Sequence, residues 1–269
     1  MKNLFLVIFL SLLWNCSNTQ PVSDPPSKGE EAKAIPKTVV PESRYPLSYV
    51  MGQFDPTSHP DFIKIPLKHA DREGLFLHKD TYSAFQKMHA AALEDGVKLV
   101  IRSATRNFAS QKRIWEAKWN GTRKIENGKD ASVAYPVPED RALKILEYSS
   151  MPGSSRHHWG TDIDLNNFNN SWFESGEGLK IYNWLLANGA AFGFCQPYTA
   201  KGSERPHGYN EERWHWSYMP LSQGLTEQAR RNLKDEMIGG FIGSETALEI
   251  GVVEKYVLGI NSGCLSSSN

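Results

Sequence analysis

Two short segments rich in metal-ligating side chains constrain this chain more than any other feature. The first is SRHHWGTDID at residues 155–164, and the second is EERWHW at residues 211–216. Together they supply His157, Asp164 and His215, and zinc hydrolases use imidazole and carboxylate ligands of this kind with one position left open for water. A fold that uses all three groups must bring two segments that are distant in sequence side by side.

Local geometry predicts how the first segment presents its ligands. Residues 161–165 have strand character, and alternation along a strand puts Asp162 and Asp164 on the same face. Gly160 permits a turn that brings His157 back beside Asp164. The first segment by itself therefore predicts two of the three metal ligands, His157 and Asp164.

The second segment supplies a candidate general base. A carboxylate near a metal accepts the proton of the attacking water, and Glu212 is placed for this role three residues before His215. On a regular strand Glu212 would face away from His215, so we expect a bend or bulge there. Residue types alone leave another interpretation open, because a chain with eight histidines brings some histidine and aspartate side chains together by chance.

Composition and charge restrict the class of protein. The chain has 269 residues, of which 40% are hydrophobic and 22% charged, as in ordinary globular proteins. Lysine plus arginine and aspartate plus glutamate number 30 each, so the chain lacks the basic excess of a nucleic-acid-binding protein. We therefore expect no nucleic-acid partner, and we expect a monomer.

The N-terminal region predicts export. Residues 1–15 form a predicted signal peptide, because residues 4–13 (LFLVIFLSLL) are apolar but too few to span a bilayer. Cys16 follows directly and favours a lipoprotein signal, in which a lipid on Cys16 anchors the protein in the membrane. A plain secretory signal with an incidental Cys16 is the alternative. Residues 16–45 have the composition of a disordered tether. We expect a lipid-anchored cell-envelope protein, in the periplasm or on the outer membrane.

The rest of the chain predicts one domain over residues 46–230 and a C-terminal extension packed on it over residues 231–269. Apolar periodicity predicts helices over residues 80–93, 108–119, 139–148 and 179–187, and β-rich runs predict strands over residues 97–101, 161–165 and 213–218. Helices and strands mix without regular βαβ alternation, which indicates an α+β fold.

Two cysteines remain after Cys16. An exported protein folds in an oxidising compartment, which favours a disulfide between Cys195 and Cys264. The alternative is that Cys195 is a small apolar core residue.

A third segment completes a family pattern. With SATR at residues 103–106 and Gln111 after it, the chain resembles the VanY-type zinc D-alanyl-D-alanine carboxypeptidases, whose motifs read S-x-x-R followed by glutamine, S-x-H-x-x-G-x-[AD]-x-D and E-x-W-H. The resemblance runs from about residue 49 to residue 218 in the family's order. It implies an α+β, Hedgehog/DD-peptidase-like fold, in which helices flank a small antiparallel sheet that carries a Zn²⁺ site.

The resemblance also implies a role for each matched residue. The expected zinc ligands are His157, Asp164 and His215. The expected general base is Glu212. The remaining matches are expected to contact the substrate: Arg106, which binds the scissile carbonyl oxygen and stabilises its charge, Ser155 and Gln111.

The implied reaction is removal of the C-terminal D-alanine from peptidoglycan stem peptides. Three alternatives stay open: an L,D-carboxypeptidase, a peptidoglycan endopeptidase of the same family, and a zinc-containing wall-binding module without turnover. Asp162, where many relatives have alanine, is expected either to hydrogen-bond a ligand histidine or to cap a turn. Glu211 is expected to be a solvated neighbour of the base, and His158 to point away from the metal.

Overall fold

The two ligand-bearing segments pair with each other at the centre of a four-stranded antiparallel sheet. The computed structural model describes residues 44–265, so the predicted signal peptide, Cys16 and nearly all of the predicted tether lie outside the described residues. The strands are β1 (Phe62–Lys64), β2 (Phe76–His78), β3 (Ile101–Ser103), β4 (Asp162–Leu165), β5 (Phe194–Cys195) and β6 (His215–Tyr218). The central sheet has the order β3-β4-β6-β5, and β1 pairs with β2 in a separate antiparallel sheet. The predicted α+β class with a small antiparallel sheet is confirmed.

Helices surround the central sheet. The α-helices are α1 (Leu47–Val50), α2 (Lys79–Glu94), α3 (Phe108–Trp119), α4 (Ala131–Ala134), α5 (Pro138–Ile145), α6 (Gly176–Asn188), α7 (Met219–Asn232) and α8 (Ala247–Ile250). Short 3₁₀ and π turns connect them, among them the 3₁₀ helix Arg156–Trp159. The predicted helix over residues 108–119 has the observed bounds, and the helix predicted over residues 139–148 ends earlier, at Ile145.

The strand predicted over residues 97–101 was placed too early in the chain. Val97 and Leu99 are buried in the core as expected, but the regular ladder begins only at Ile101. Before that residue, the side chain of Asn166 replaces a neighbouring strand: its Oδ1 accepts from the Val100 N–H at 3.2 Å, and its Nδ2 donates to the Lys98 carbonyl at 2.8 Å. Sequence patterns cannot show that a side chain satisfies these backbone groups.

Side-chain alternation in β4 and β6 divides the sheet into an apolar and a polar face. Ile163 pairs with Trp216, and both join the apolar core formed with α2 and α6. The adjacent positions pair Asp164 with His215 and Asp162 with Ser217, on the opposite face. All four residues of β4 are buried, so the polar face is covered as well. The fold thus places charged groups in a largely dry layer.

A second apolar cluster lies on the far side of this polar layer. It contains Trp115 and Trp119 of α3, Leu225 of α7 and Val252 near the C-terminus. No helix of the described residues is long and apolar enough to cross a membrane.

The disulfide predicted between Cys195 and Cys264 is confirmed. It joins the end of β5 to the C-terminal segment, with a Cα–Cα distance of 5.7 Å and a sequence separation of 69 residues. The bond therefore closes a long loop that contains β6, α7 and the segment after α7. Such a cross-link restricts the unfolded chain more than the folded one.

We expect the double variant Cys195→Ser/Cys264→Ser to lose about 2–4 kcal/mol of its free energy of unfolding, because the loop is no longer closed in the unfolded state. Urea denaturation followed by tryptophan fluorescence measures this loss. Reducing agent should lower the stability of the wild type by a similar amount and leave the variant unchanged. Equal midpoints for the oxidised wild type and the variant would contradict the prediction.

Candidate metal and active site

Three buried side chains from separate elements converge on one point. His157 lies in the 3₁₀ helix, Asp164 on β4, and His215 is the first residue of β6 and pairs directly with Asp164. His157 Nε2 lies 3.3 Å from Asp164 Oδ2, and His215 Nδ1 lies 3.2 Å from Asp164 Oδ1. Gly160 ends the 3₁₀ helix in the left-handed region at φ 71°, which supplies the predicted turn. The structure therefore brings together the three predicted ligands, with ligand atoms within 4.8 Å of one another.

Hydrogen bonds on the outer edges of the two imidazoles leave their inner nitrogens available. His157 Nδ1 donates to the Ala104 carbonyl at 2.9 Å, so Nε2 carries the lone pair that faces Asp164. His215 Nε2 donates to Asp162 Oδ1 at 2.8 Å, so Nδ1 faces Asp164. Asp164 Oδ1 is buried and accepts no hydrogen bond from any of the described residues. Two imidazole nitrogens and one carboxylate oxygen are a donor set that fits Zn²⁺.

Asp162 orients His215 and is itself held by a buried arginine. Arg156 Nε donates to Asp162 Oδ1 at 3.2 Å, and its two Nη groups donate to Thr226 Oγ1 and Ser217 Oγ, each at 2.8 Å. Burial alone would raise the pKa of Asp162, but the charge of Arg156 and the hydrogen bond to His215 lower that pKa well below its usual range. Of the two roles expected for Asp162, the structure shows the hydrogen bond to a histidine, His215, which is one of the predicted ligands.

Sequence reasoning missed Arg156. The only signal was that an arginine precedes the histidine of the first segment. Arginine side chains are mostly exposed in proteins, so this one did not suggest a buried role. In the structure the side chain is almost fully buried, and its guanidinium stacks over Trp159 at 4.5 Å from the ring centroid.

The buried charges around this point do not balance. Three carboxylates, those of Asp162, Asp164 and Glu212, face the guanidinium groups of Arg106 and Arg156. Burial lowers the pKa of His215, but its contacts with these three carboxylates outweigh burial and raise that pKa well above its usual value. The pocket thus attracts a positive charge, which a proton or a metal cation can provide.

Glu212 lies in a tight turn that ends at His215. The His215 N–H donates to the Glu212 carbonyl at 3.3 Å, and Glu212 Oε2 reaches 3.1 Å from His215 Nδ1. The expected bend before the strand is therefore confirmed. Burial raises the pKa of Glu212. A carboxylate with a raised pKa is better suited both to accept a proton and to return it. Glu211 forms an ion pair with Arg213 at 3.4 Å and does not enter the cluster.

Arg106 is held beside Asp164 by its own segment. Its Nη1 lies 3.7 Å from Asp164 Oδ2 and donates to Ser103 Oγ at 2.6 Å, and its Nε donates to Gln111 Oε1 at 2.9 Å. Gln111 in turn donates to the Ser150 carbonyl at 2.8 Å. In this structure Gln111 orients Arg106, and its expected contact with substrate stays a prediction.

His158 points away from the cluster, as expected, and has a structural role. Its Nδ1 donates to the Arg106 carbonyl at 2.5 Å, and its Nε2 accepts from the Gly153 N–H at 3.0 Å. Burial lowers the pKa of His158 to about 3, so the ring is neutral. The neutral ring fixes the backbone that carries Arg106.

A cavity of about 750 Å³ opens beside the cluster, and all seven residues predicted for the site line it. Its size is in the range of pockets that hold small ligands or short peptides. Ser155 lines it with a buried Oγ that has no hydrogen-bond partner within residues 44–265, and Trp214 forms part of the wall. Both Trp214 and Trp216 belong to the apolar core, but Trp216 does not line the cavity. Tyr198, which no sequence motif indicated, packs edge-on against His215 at 4.7 Å between ring centroids.

Sequence comparison finds a family model over most of this region. The model for VanY, described as D-alanyl-D-alanine carboxypeptidase, matches residues 74–221. Two uncharacterized proteins of Haemophilus influenzae are each 30% identical to the chain. One match spans 89 residues, which are 28% of this chain and 65% of the relative, and the other spans 98 residues, 35% and 64% respectively. The chain thus spans just under two thirds of the length of these curated relatives.

Solved structures similar to this chain include three peptidases. The LdcB LD-carboxypeptidase is 20% identical, with a TM-score of 0.48 over 76% of this chain and 81% of that one. VanYB in complex with D-alanine-D-alanine is 22% identical, with a TM-score of 0.44 over 60% and 86%. A VanY D,D-pentapeptidase mutant in complex with Zn(II) is 21% identical, with a TM-score of 0.44 over 68% and 93%.

We expect Arg156→Met to lower the free energy of unfolding by about 3–5 kcal/mol, because Asp162 would remain buried without its counter-charge. The double variant Arg156→Met/Asp162→Asn should recover part of this loss. Urea denaturation in the presence of a chelator measures both.

Arg231→Met is the matched control, since Arg231 forms an exposed ion pair with Glu227 on α7. Its expected loss is about 1 kcal/mol or less. An Arg156→Met variant as stable as this control would contradict the buried network.

Proposed function

Because the chain belongs to the VanY family of D-alanyl-D-alanine carboxypeptidases, we propose that it is a zinc-dependent carboxypeptidase that removes the C-terminal D-alanine from peptidoglycan stem peptides. One observation carries the proposal. The prospective ligands His157, Asp164 and His215, a buried glutamate and an arginine meet at the end of one cavity. Metallopeptidases need these components together: a metal position, a general base and a cation for the oxyanion.

The residues that would hold Zn²⁺ are His157, Asp164 and His215. When bound there, Zn²⁺ would lower the pKa of a water molecule and polarise the scissile carbonyl. Support comes from the two free imidazole nitrogens, the unsatisfied Asp164 oxygen and the negative balance of the surrounding buried charges. Asp162 would keep His215 in the tautomer that a metal requires.

The protein's own groups account for the proton transfers. Glu212 accepts a proton from the attacking water and returns it to the amine of the departing D-alanine. Arg106 stabilises the negative charge that develops on the carbonyl oxygen, and its hydrogen bonds to Ser103 and Gln111 hold it in place in advance. Ser155, whose hydroxyl at the cavity wall has no partner among the described residues, would bind the peptide backbone.

We also propose that the protein acts in the cell envelope, attached through a lipid on Cys16. The support is the order of an apolar run, a cysteine and a Pro/Ser-rich segment at the start of the chain. An envelope location would place the site near its proposed substrate.

We expect the protein with Zn²⁺ to release one D-alanine from a defined stem pentapeptide and none from the tetrapeptide, as counted by mass spectrometry. A chelator should abolish release, because the water would lose its activating cation. Release of D-alanine from the tetrapeptide alone would contradict D,D-specificity and indicate L,D-specificity. No release from either peptide by the zinc-loaded protein would favour an endopeptidase or a binding module, which cross-linked dimeric stem peptides would distinguish.

We expect Glu212→Gln to keep stoichiometric zinc but to lose turnover by a factor of about 100 or more, because the base is gone while the ligands remain. His215→Ala should lose both zinc and turnover. Metal content by atomic emission and initial rates on the pentapeptide measure the two effects. A Glu212→Gln variant with near-normal rates would exclude Glu212 as the base.

A further inference from the structure

Lys118 is a buried lysine that lines the same cavity as the candidate active site. The residue is only 7% exposed. It follows Gln111 by two turns of α3, and positions seven apart lie on one helix face. Both side chains reach the segment at Ser149 and Ser150, Gln111 through the Ser150 carbonyl and Lys118 through Ser149. The helix thus directs two polar groups toward the cavity.

The ammonium group of Lys118 is poorly satisfied by the protein. Its Nζ donates one hydrogen bond, to Ser149 Oγ at 2.7 Å, although an ammonium has three N–H groups to donate. Among residues 44–265 no carboxylate lies within ion-pair distance of it. Burial lowers its pKa, and the charges of Glu126, Arg123, Glu212 and Arg106 act on it from farther away. A buried ammonium without a counter-ion is costly, and an anion that enters the cavity would remove this cost.

We propose that Lys118 binds a carboxylate of the peptide substrate, an inference that rests on the proposed function. Arg123, which lines the more exposed part of the cavity and has no ion-pair partner among the described residues, adds a second positive charge on this side. A stem peptide can offer a carboxylate from two sources. One is the free C-terminus of the residue that is released, and the other is an acidic side chain on the residues before the scissile bond.

A purely structural role for Lys118 would have a different basis. Lys118 lies in the last turn of α3, where the helix dipole favours a cation. That interaction also acts at exposed positions and needs no cavity. A structural lysine would therefore affect stability, whereas a carboxylate-binding lysine affects affinity only for peptides that carry the carboxylate.

The experiment measures peptide affinity by calorimetry in the Glu212→Gln background, so that no peptide is consumed. Four peptides that end in D-alanyl-D-alanine are compared. Each has either a free or an amidated C-terminus, and the residue before D-alanyl-D-alanine has either an acidic or an amidated side chain. Lys118→Met should raise the Kd about tenfold or more for peptides that carry the recognised carboxylate. It should leave the Kd unchanged for peptides that lack it, and Lys118→Arg should restore part of the affinity.

Lys112→Met is the matched control on the same helix, since Lys112 pairs with Glu116 and does not line the cavity. It should change none of the four affinities. If Lys118→Met is too unstable to measure, Lys118→Gln replaces it. Two peptides that differ only in the recognised carboxylate should have different Kd values with unchanged Lys118. The pair whose Kd values become equal in the Lys118 variant identifies the source of the carboxylate. Equal losses for all four peptides, or none, would overturn the proposal.

The outcomes also separate this inference from the proposed reaction. Cleavage by the wild type with a KM that Lys118→Met does not alter would overturn the carboxylate site and leave the reaction standing. Binding that depends on Lys118 and on one carboxylate, without cleavage by the zinc-loaded wild type, would overturn the reaction and leave the carboxylate site.

Discussion

The pairing of β4 with β6 is the interaction on which the site depends. It sets Asp164 opposite His215 and Asp162 opposite Ser217, while Ile163 and Trp216 pair on the other face. A register shift of one residue would turn the carboxylates toward the apolar core and the apolar side chains toward the cavity. Both faces are buried, so such a shift would be strongly unfavourable. The hydrophobic core and the candidate metal site therefore enforce the same register.

A chain of buried polar contacts then fixes the orientation of each group around the site. Arg156 holds Asp162, Asp162 holds His215, and the Ala104 carbonyl holds His157. On the other side Ser103 and Gln111 hold Arg106, and His158 holds the Arg106 backbone. Each contact fixes a proton or a side-chain angle before any ligand arrives. This preorganisation is costly to build, because buried polar groups must all be satisfied.

Some of the unsatisfied polar groups lie in the cavity, where a ligand would bind. In the part of the chain that the structure describes, Asp164 Oδ1 and Ser155 Oγ have no hydrogen-bond partner, and the Lys118 ammonium has one where three are possible. The first atom faces the proposed metal, and the other two groups line the cavity. Such groups are unfavourable in an empty pocket and become favourable when an ion or a peptide completes them. The proposed metal and peptide would complete these three groups.

The sequence by itself determined which residues the candidate site contains and the class of the fold. Residue types, strand alternation and the ordered motifs were enough to predict His157, Asp164, His215, Glu212 and Arg106, the bend before β6 and the antiparallel α+β architecture. These features are local, or are carried by a family pattern, and so they can be read along the chain. The disulfide was predicted from the number of cysteines together with the expected export of the protein.

Only the tertiary structure decided which polar side chains are buried together. Arg156 lies beneath Asp162, Tyr198 against His215, and Asn166 takes the place of a strand beside Val100. Lys118 became notable only when its burial beside the cavity was seen. The physical reason is that burial and counter-charge depend on contacts between distant segments. A motif specifies which groups are present, but packing decides whether each is solvated, paired or left to bind a ligand.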